Sequence, residues 1–539
     1  MIPKNKGIKD MIWGTCFSNI PKNTYILAMI TLSILIFSGC LQPDQRTYFQ
    51  PDYQHALDAE LKKTDPNQRL FQIPKTQQSL ELSIEQSVIF ALQNNKELQI
   101  QQLQPMISGT FEQIERGIYD PEIFTNVSFF KNREEDLTTE NPDEQVTEES
   151  DLGLSLGIRQ SLPFGTTVEM ALEKDRNRVD NEHKARLGLT ITQSLLQGYG
   201  TRVNLANIKI AEMNTIASQY EIQEFAQNLV ADTEIAYWEY ALAQQKSSIF
   251  EKSLKIATQQ RDEIKQQISM GVLPKNEAAA AYAEVALREQ ALIEANNLLE
   301  NRRLKLLRFI SVNQFDLQIK PISQPDIQAK PVLNVIERIS LAEKMRPDLN
   351  EAHLRLKQKR LETIVTRNGV LPKLDLFLVL GRTGYAKSFS EAFQNMNQST
   401  YDVRVGMQLE YLLGNRAARS RKDHVLLKRQ QAIKAIANHK QIVHYDVRLA
   451  INEIEHARKQ IAATRVTLMY QKQTAKAEKA RFAVGASTAL MVSQAYRDLL
   501  AARNAEIEAI INYRIALIQL YVAEGSLLER RGLKVIGTR

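Results

Sequence analysis

Cysteine is nearly missing from this chain of 539 residues, which has two, Cys16 and Cys40. That excludes a disulfide scaffold and any Cys-rich metal site. Glycine (21) and proline (16) are also scarce, against typical usage of about 7% and 5%, so a mostly helical fold is expected. Neither sign of charge dominates: 69 Lys+Arg face 62 Asp+Glu, a formal +7 spread along the chain, and a nucleic-acid footprint is not indicated. The mean hydropathy of −0.32 excludes a multi-span helical membrane protein. It leaves room for a membrane β-barrel, whose strands are only half apolar. There is no Walker loop, and Gly198-Tyr199-Gly200 lacks the third glycine of a dinucleotide loop. His424, His439, His444 and His456 fall on one expected helix at gaps of 15, 5 and 12, which gives no shared metal-binding face. No Ser or Cys nucleophile has a recognisable setting, so neither an enzyme nor a cofactor is expected.

One long apolar run exists. Lys4, Lys6, Lys9 and Lys22 precede Tyr25–Gly39 (YILAMITLSILIFSG), and Cys40 follows. A spanning helix needs about 20 apolar residues, so the run suits a signal-peptide core. Phe37-Ser38-Gly39-Cys40 resembles the bacterial lipobox, with Cys40 as the lipidation site. Leu41 in place of Asp favours the outer membrane. Residues 1–39 are therefore read as signal peptide. Residues 40–78, interrupted by Pro43, Pro51, Pro66 and Pro74, are read as a lipid-anchored tether.

The breaker-free stretches are long. Thr201–Met270, Arg416–Val484 and Ala486–Glu524 contain neither Gly nor Pro. Apolar residues recur in them at coiled-coil spacing, as at Ile436, Val443, Val447, Ile454, Ile461 and Leu468. The first stretch predicts a helix from Val203 to Ile268, about 100 Å long at 1.5 Å per residue. The pattern occurs twice: Gly200 and Gly414 are 214 residues apart, and so are Gly271 and Gly485. Each half predicts a helical hairpin with unequal arms, turning at Met270–Pro274 and Val484–Ser487.

Period-two sequence precedes each hairpin. The first half offers Glu122–Lys131, Leu152–Gln160, Thr166–Leu172 and Ala185–Leu195; the second offers Lys373–Gly381, a loop, and Tyr401–Leu412. The first half is longer here by 37 residues, the size of one inserted hairpin. So few strands cannot close a barrel alone, and an open sheet edge in lipid costs several kcal/mol per unpaired group. Membrane strands therefore require partner chains.

A signal with a lipid cysteine, then strands and a long helical hairpin written twice, resembles the TolC/OprM family of outer-membrane efflux proteins. Ser83–Leu98 resembles the family's opening helix and Ile339–Leu349 its second copy. Ile191–Gly200 and Leu412–Arg419 resemble the strand exits, with Ser194 and Leu412 where proline is frequent. Ala480–Ala502 resembles the turn-and-return motif, and Ser269–Ala283 is its first copy. The resemblance implies a mostly α fold with membrane β: a duplicated strand pair plus long helical hairpin, assembled as a trimeric α/β barrel tube. It divides the chain into a first repeat (79–312), an equatorial linker (313–345), a second repeat (346–527) and a C-terminal tail (528–539). Whether each chain gives the family's usual four strands or six stays open.

The implied function is a passive trimeric exit duct of a tripartite efflux or type I secretion system, in the outer membrane of a Gram-negative-type bacterium and extending into the periplasm. The implied partners are two further copies, a periplasmic adaptor, an inner-membrane pump or ABC transporter, and outer-membrane lipid. Met270, Gly271, Val272 and Leu273, with Val484, Gly485, Ala486 and Ser487, would be adaptor-binding tips. Glu277, Met491 and Gln494 mark a candidate tunnel constriction. The alternative is a lipid-anchored periplasmic coiled-coil spacer or stalk without a pore. Sequence does not separate drug, metal-ion and protein cargo.

Overall fold

The scarcity of helix breakers shows directly in the helices. A computed structural model describes residues 79–135, 146–177, 182–275, 277–312, 315–325, 329–332, 334–396 and 400–533. The segments read as signal peptide and tether, with Cys40, lie outside the described residues. The chain divides into two compact units, each assembled from separated stretches.

The first unit comprises Arg116–Leu205 and Arg367–Ala418 among its described parts. It holds six strands: β2 (Glu122–Glu135), β3 (Val146–Leu162), β4 (Thr166–Asn177), β5 (Glu182–Ser194), β7 (Lys373–Ala386) and β8 (Tyr401–Glu410). They form one antiparallel sheet in the order β2-β3-β4-β5-β7-β8. The inserted hairpin of the first half is therefore part of the sheet, which answers the four-or-six question for the single chain. Short turns such as Pro163-Phe164-Gly165, with Gly165 at φ 87°, allow this up-and-down course. The stretch expected as a loop after Gly381 is mostly regular. β7 continues to Ala386 and is followed by a short helix, Phe389–Asn395, capped by the Ser388 hydroxyl, which accepts from the Glu391 N–H. Ala392 packs on Ala185 because Gly384 has no side chain in the way.

The second unit comprises Arg69–Glu115, Ala206–Thr366 and Arg419–Arg539. Helices α1 (Ile84–Asn94), α2 (Lys96–Gln101) and α3 (Gln104–Arg116) open it. Ser83 and Gln86 form the capping box that starts α1. A short helix α4 (Thr201–Asn204) breaks at Leu205 before α5 (Ala206–Ser269), so the first long helix begins slightly later than the sequence predicts. The return arm is α6 (Glu277–Phe309). Helices α7 (Val335–Met345) and α8 (Pro347–Asn368) follow. The Phe389–Asn395 helix is α9. Then come α10 (Arg416–Ala483), α11 (Ala489–Ala523) and α12 (Leu527–Arg530).

The seven-residue seams are buried as their spacing requires: Val443, Val447, Ile454 and Ile461 of α10 pack with Ala509, Tyr513 and Leu520 of α11. The linker contains strand β6 (Gln318–Pro321), paired in parallel with β1 (Ser79–Leu82). Two tyrosines of α5 hold this pair. Tyr237 donates to the Leu82 carbonyl at 3.0 Å and Tyr240 to the Ile319 carbonyl at 2.6 Å. Burial pushes the Tyr240 phenol up to about 12, so it stays a donor at any physiological pH.

Candidate pore wall and docking tips

Strand register sorts the sheet's side chains onto two chemically opposite faces. One face carries Ile123, Val127 and Phe129 of β2 beside Ile158, Leu154 and Leu152 of β3. It continues through Met170 and Leu172 of β4, Leu189 and Leu187 of β5, Leu378 and Leu380 of β7, and ends at Met407, Val405 and Val403 of β8. This face is apolar across all six strands. On the edge strands it is open to solvent, with Ile123 74% and Met407 68% exposed.

The opposite face is polar and internally paired. Arg159 on β3 meets Glu169 on β4 at 2.7 Å. Arg186 on β5 meets Glu173 on β4 at 3.1 Å and Asp402 on β8 at 2.8 Å, tying together strands from both halves of the chain. At the strand exit, the Ser194 hydroxyl donates to Asp375 at 3.0 Å, and Gly198 and Gly200 take positive φ to redirect the chain. Two phenylalanines on this face lie flat across glycines on the adjacent strand. Phe124 covers Gly157 and Phe377 covers Gly406, each directly opposite in register. A side chain at either glycine would collide with the ring, whereas Phe over Gly restores the apolar cover that glycine lacks.

An apolar face of this extent is unstable in water, since patches above a few hundred Å² normally mark an interface or a membrane contact. Both sheet edges, β2 and β8, are also unpaired among the described residues. Among the described residues no helix is long and apolar enough to cross a membrane.

The hairpin turns lie together in the helical unit. Ile264, Ile268 and Leu273 of the first turn pack with Ala281, Phe482 and Ala489. Gly271 (φ 76°) and Gly485 (φ 74°) supply the left-handed residue that ends each long arm. Of the residues expected at the tips, Met270, Val272 and Val484 are exposed (62%, 67% and 78%), whereas Leu273 turns inward. The Ser487 hydroxyl donates to the Glu478 carboxylate at 2.8 Å and so braces the second turn.

The three residues expected at a constriction do not form one cluster. Met491 projects openly (57% exposed), and Glu277 sits in the first turn of α6. Gln494 alone enters a network. The Arg497 guanidinium donates to Gln494 at 2.5 Å and to Glu284 of α6 at 2.6 Å, and Glu284 also pairs with Arg288 at 2.6 Å. Glu284 and Arg288 are nearly fully buried. This cross-hairpin clasp escapes sequence reading, because its members lie 213 residues apart on helices that otherwise present ordinary polar faces. His444, one of the four histidines without a shared metal-binding face, meets Glu343 at 2.8 Å; with Lys440 alongside, it holds that carboxyl below its usual range.

Residues 338–526 match the family model described as "Outer membrane efflux protein". No curated relative matches the chain. Among solved structures, the chain is similar to the outer-membrane channel OprN at 16% identity, with 82% of this chain and 90% of that one covered and a TM-score of 0.63. The CmeC outer membrane channel of Campylobacter jejuni matches at 16% identity, 82% and 86% coverage and a TM-score of 0.61. The open-state MtrE outer membrane channel of Neisseria gonorrhoeae matches at 19% identity, 82% and 89% coverage and a TM-score of 0.59. The chain thus carries, in residues 338–526, a stretch similar to the outer membrane efflux protein family, and over most of its length it shares the fold of these solved channels.

Proposed function

We propose that three copies of this chain form a passive channel, the exit duct of a tripartite efflux or type I secretion system in the outer membrane of a Gram-negative-type bacterium. The observation that carries this reading is the two-faced sheet. Its apolar face fits lipid, its polar face fits a wet lumen, and its two open edges require neighbouring chains. The long helical hairpins would continue the lumen through the periplasm. Their exposed tips (Met270, Gly271, Val272, Val484, Gly485, Ala486) fit a periplasmic adaptor, with Leu273 and Ser487 holding the turns in shape. The adaptor would connect the channel to an inner-membrane pump or ABC transporter. Cys40 would carry the lipid anchor. Transport is driven by these partners, and the chain itself performs no chemical step.

A spacer without a pore would have no use for an apolar face spanning six strands. Outer-membrane fractionation, native mass and planar-bilayer recording of the purified protein test the proposal together. The expected result is a heat-modifiable outer-membrane trimer that conducts ions. A soluble or inner-membrane monomer without conductance would refute it.

A further inference from the structure

We infer that the membrane barrel is closed by eighteen strands, six from each of three chains, with β8 of one chain pairing with β2 of the next. This rests on the trimeric channel reading above and specifies the pore it makes. The six strands form one continuous hydrogen-bonded sheet; β3 is paired on both sides over Leu154–Arg159 and β4 over Thr166–Lys174. Among the described residues, β2 and β8 are the strands free along one whole side, so closure uses these two edges. Their directions agree. Six antiparallel strands leave β2 and β8 running oppositely, so β8 can meet a neighbour's β2 in the same antiparallel sense as every other pair.

Side-chain alternation agrees as well. Thr125 and Val127 on β2 share the apolar face with Val405 and Met407 on β8. Pairing these strands would continue one apolar wall around the barrel without a break, and a register slip of one residue would destroy it. Exposed, long and apolar edges of this kind template pairing to another chain. A second copy of this chain supplies the complementary edge in number and direction.

The consequence is width. With strands about 4.8 Å apart and tilted about 40°, eighteen strands enclose a backbone diameter of about 36 Å, against about 24 Å for twelve. The polar face is also low in relief where glycine carries no side chain and Phe124 and Phe377 lie flat over Gly157 and Gly406. An eighteen-stranded barrel would admit solutes that a twelve-stranded closure would exclude.

Disulfide mapping in the full-length protein tests the closure. Thr125→Cys is combined in turn with Val403→Cys, Val405→Cys and Met407→Cys, and the chains are oxidised in the membrane. At least one combination is expected to give covalent dimers and trimers on a denaturing gel. A parallel set replaces Thr125→Cys with Val168→Cys on β4. Cross-linking from β4 instead of β2 would mean that the β2–β3 hairpin lies outside a smaller barrel, and would overturn the inference. A trimer by native mass with no β2–β8 link in any combination would overturn it too, while leaving the channel reading standing. Absence of any trimer would remove both. Should the variants fail to assemble, the strand count in an electron-microscopy map of the unmodified protein decides: eighteen supports the inference and twelve refutes it.

Discussion

Glu234 in α5 and Arg531, just past α12, form a two-pronged ion pair, with the Nε and Nη2 of Arg531 each 2.6 Å from a different carboxylate oxygen. Glu234 is only 1% exposed. Burial pushes its carboxyl up despite the guanidinium, which pulls the other way. Removing one partner of such a pair strands the other. Arg531→Met is therefore expected to destabilise the helical unit by about 3 kcal/mol, and Glu234→Leu with Arg531→Met by clearly less. Denaturant unfolding of the detergent-solubilised protein measures both. Equal losses in the single and double variants would show that the pair contributes nothing specific.

The Phe–Gly pairs should act on barrel assembly. Gly157→Val and Gly406→Val each force a ring off the adjacent strand, at about 1–3 kcal/mol for overpacking. A lower yield of heat-resistant trimer is expected from either. Adding Phe124→Ala to Gly157→Val should restore part of the yield, because the intruding side chain then has space. The fraction of assembled protein on unheated gels reads this out.

At the tips, Val484→Asp and Val272→Asp change exposed side chains with few neighbours. Stability should stay within about 0.5 kcal/mol, as for most surface substitutions. Adaptor cross-linking and export are expected to fall at least tenfold while outer-membrane levels hold. Unchanged cross-linking would move the adaptor site elsewhere.

The Glu284–Arg497–Gln494 clasp joins the return arms of the two hairpins, α6 and α11. Arg497→Ala should loosen them and raise single-channel conductance severalfold. It also leaves Glu284 its bond to Arg288, so folding should survive. Met491→Ala should have little effect, since Met491 takes no part in the clasp. Bilayer recordings of the two variants side by side separate the clasp from a general loosening of the tips.

Acid sensitivity can be tested at Asp348. Burial alone would raise its carboxyl, but two bonds from Arg346, at 2.8 and 3.0 Å, and the Leu349 N–H at 2.8 Å outweigh burial and hold it low. A depressed carboxyl adds stability above its unfolded value of about 3.9 and loses it as pH falls through the lowered one. Nearby Glu224, raised by burial and then by Asp348, acts oppositely: its contribution is complete below about pH 4.3 and is lost as pH rises. Asp348→Asn is expected to cost about 1–2 kcal/mol at pH 7, with the gap to the unmodified protein narrowing below about pH 4. Denaturation midpoints at pH 7 and pH 3 check the sign.

What the sequence by itself determined is everything set by short-range pattern. The absence of Gly and Pro placed α5 and α10, the seven-residue rhythm placed Val443, Val447, Ile454 and Ile461 in their seam, and Gly271 and Gly485 placed the turns. Period-two alternation placed six strand cores. These follow from neighbours within one or two turns or pleats, and a linear chain displays them openly. Only the tertiary structure decided that all six strands share one sheet, and that Arg186 reaches Asp402 across the two halves. The same holds for the parallel pairing of β1 with β6, for Phe124 over Gly157, and for Arg497 closing on Glu284 and Gln494. Those contacts join residues tens to hundreds of positions apart. Register and packing select them, and a polar residue destined for such a partner looks, in sequence, like any other solvated one.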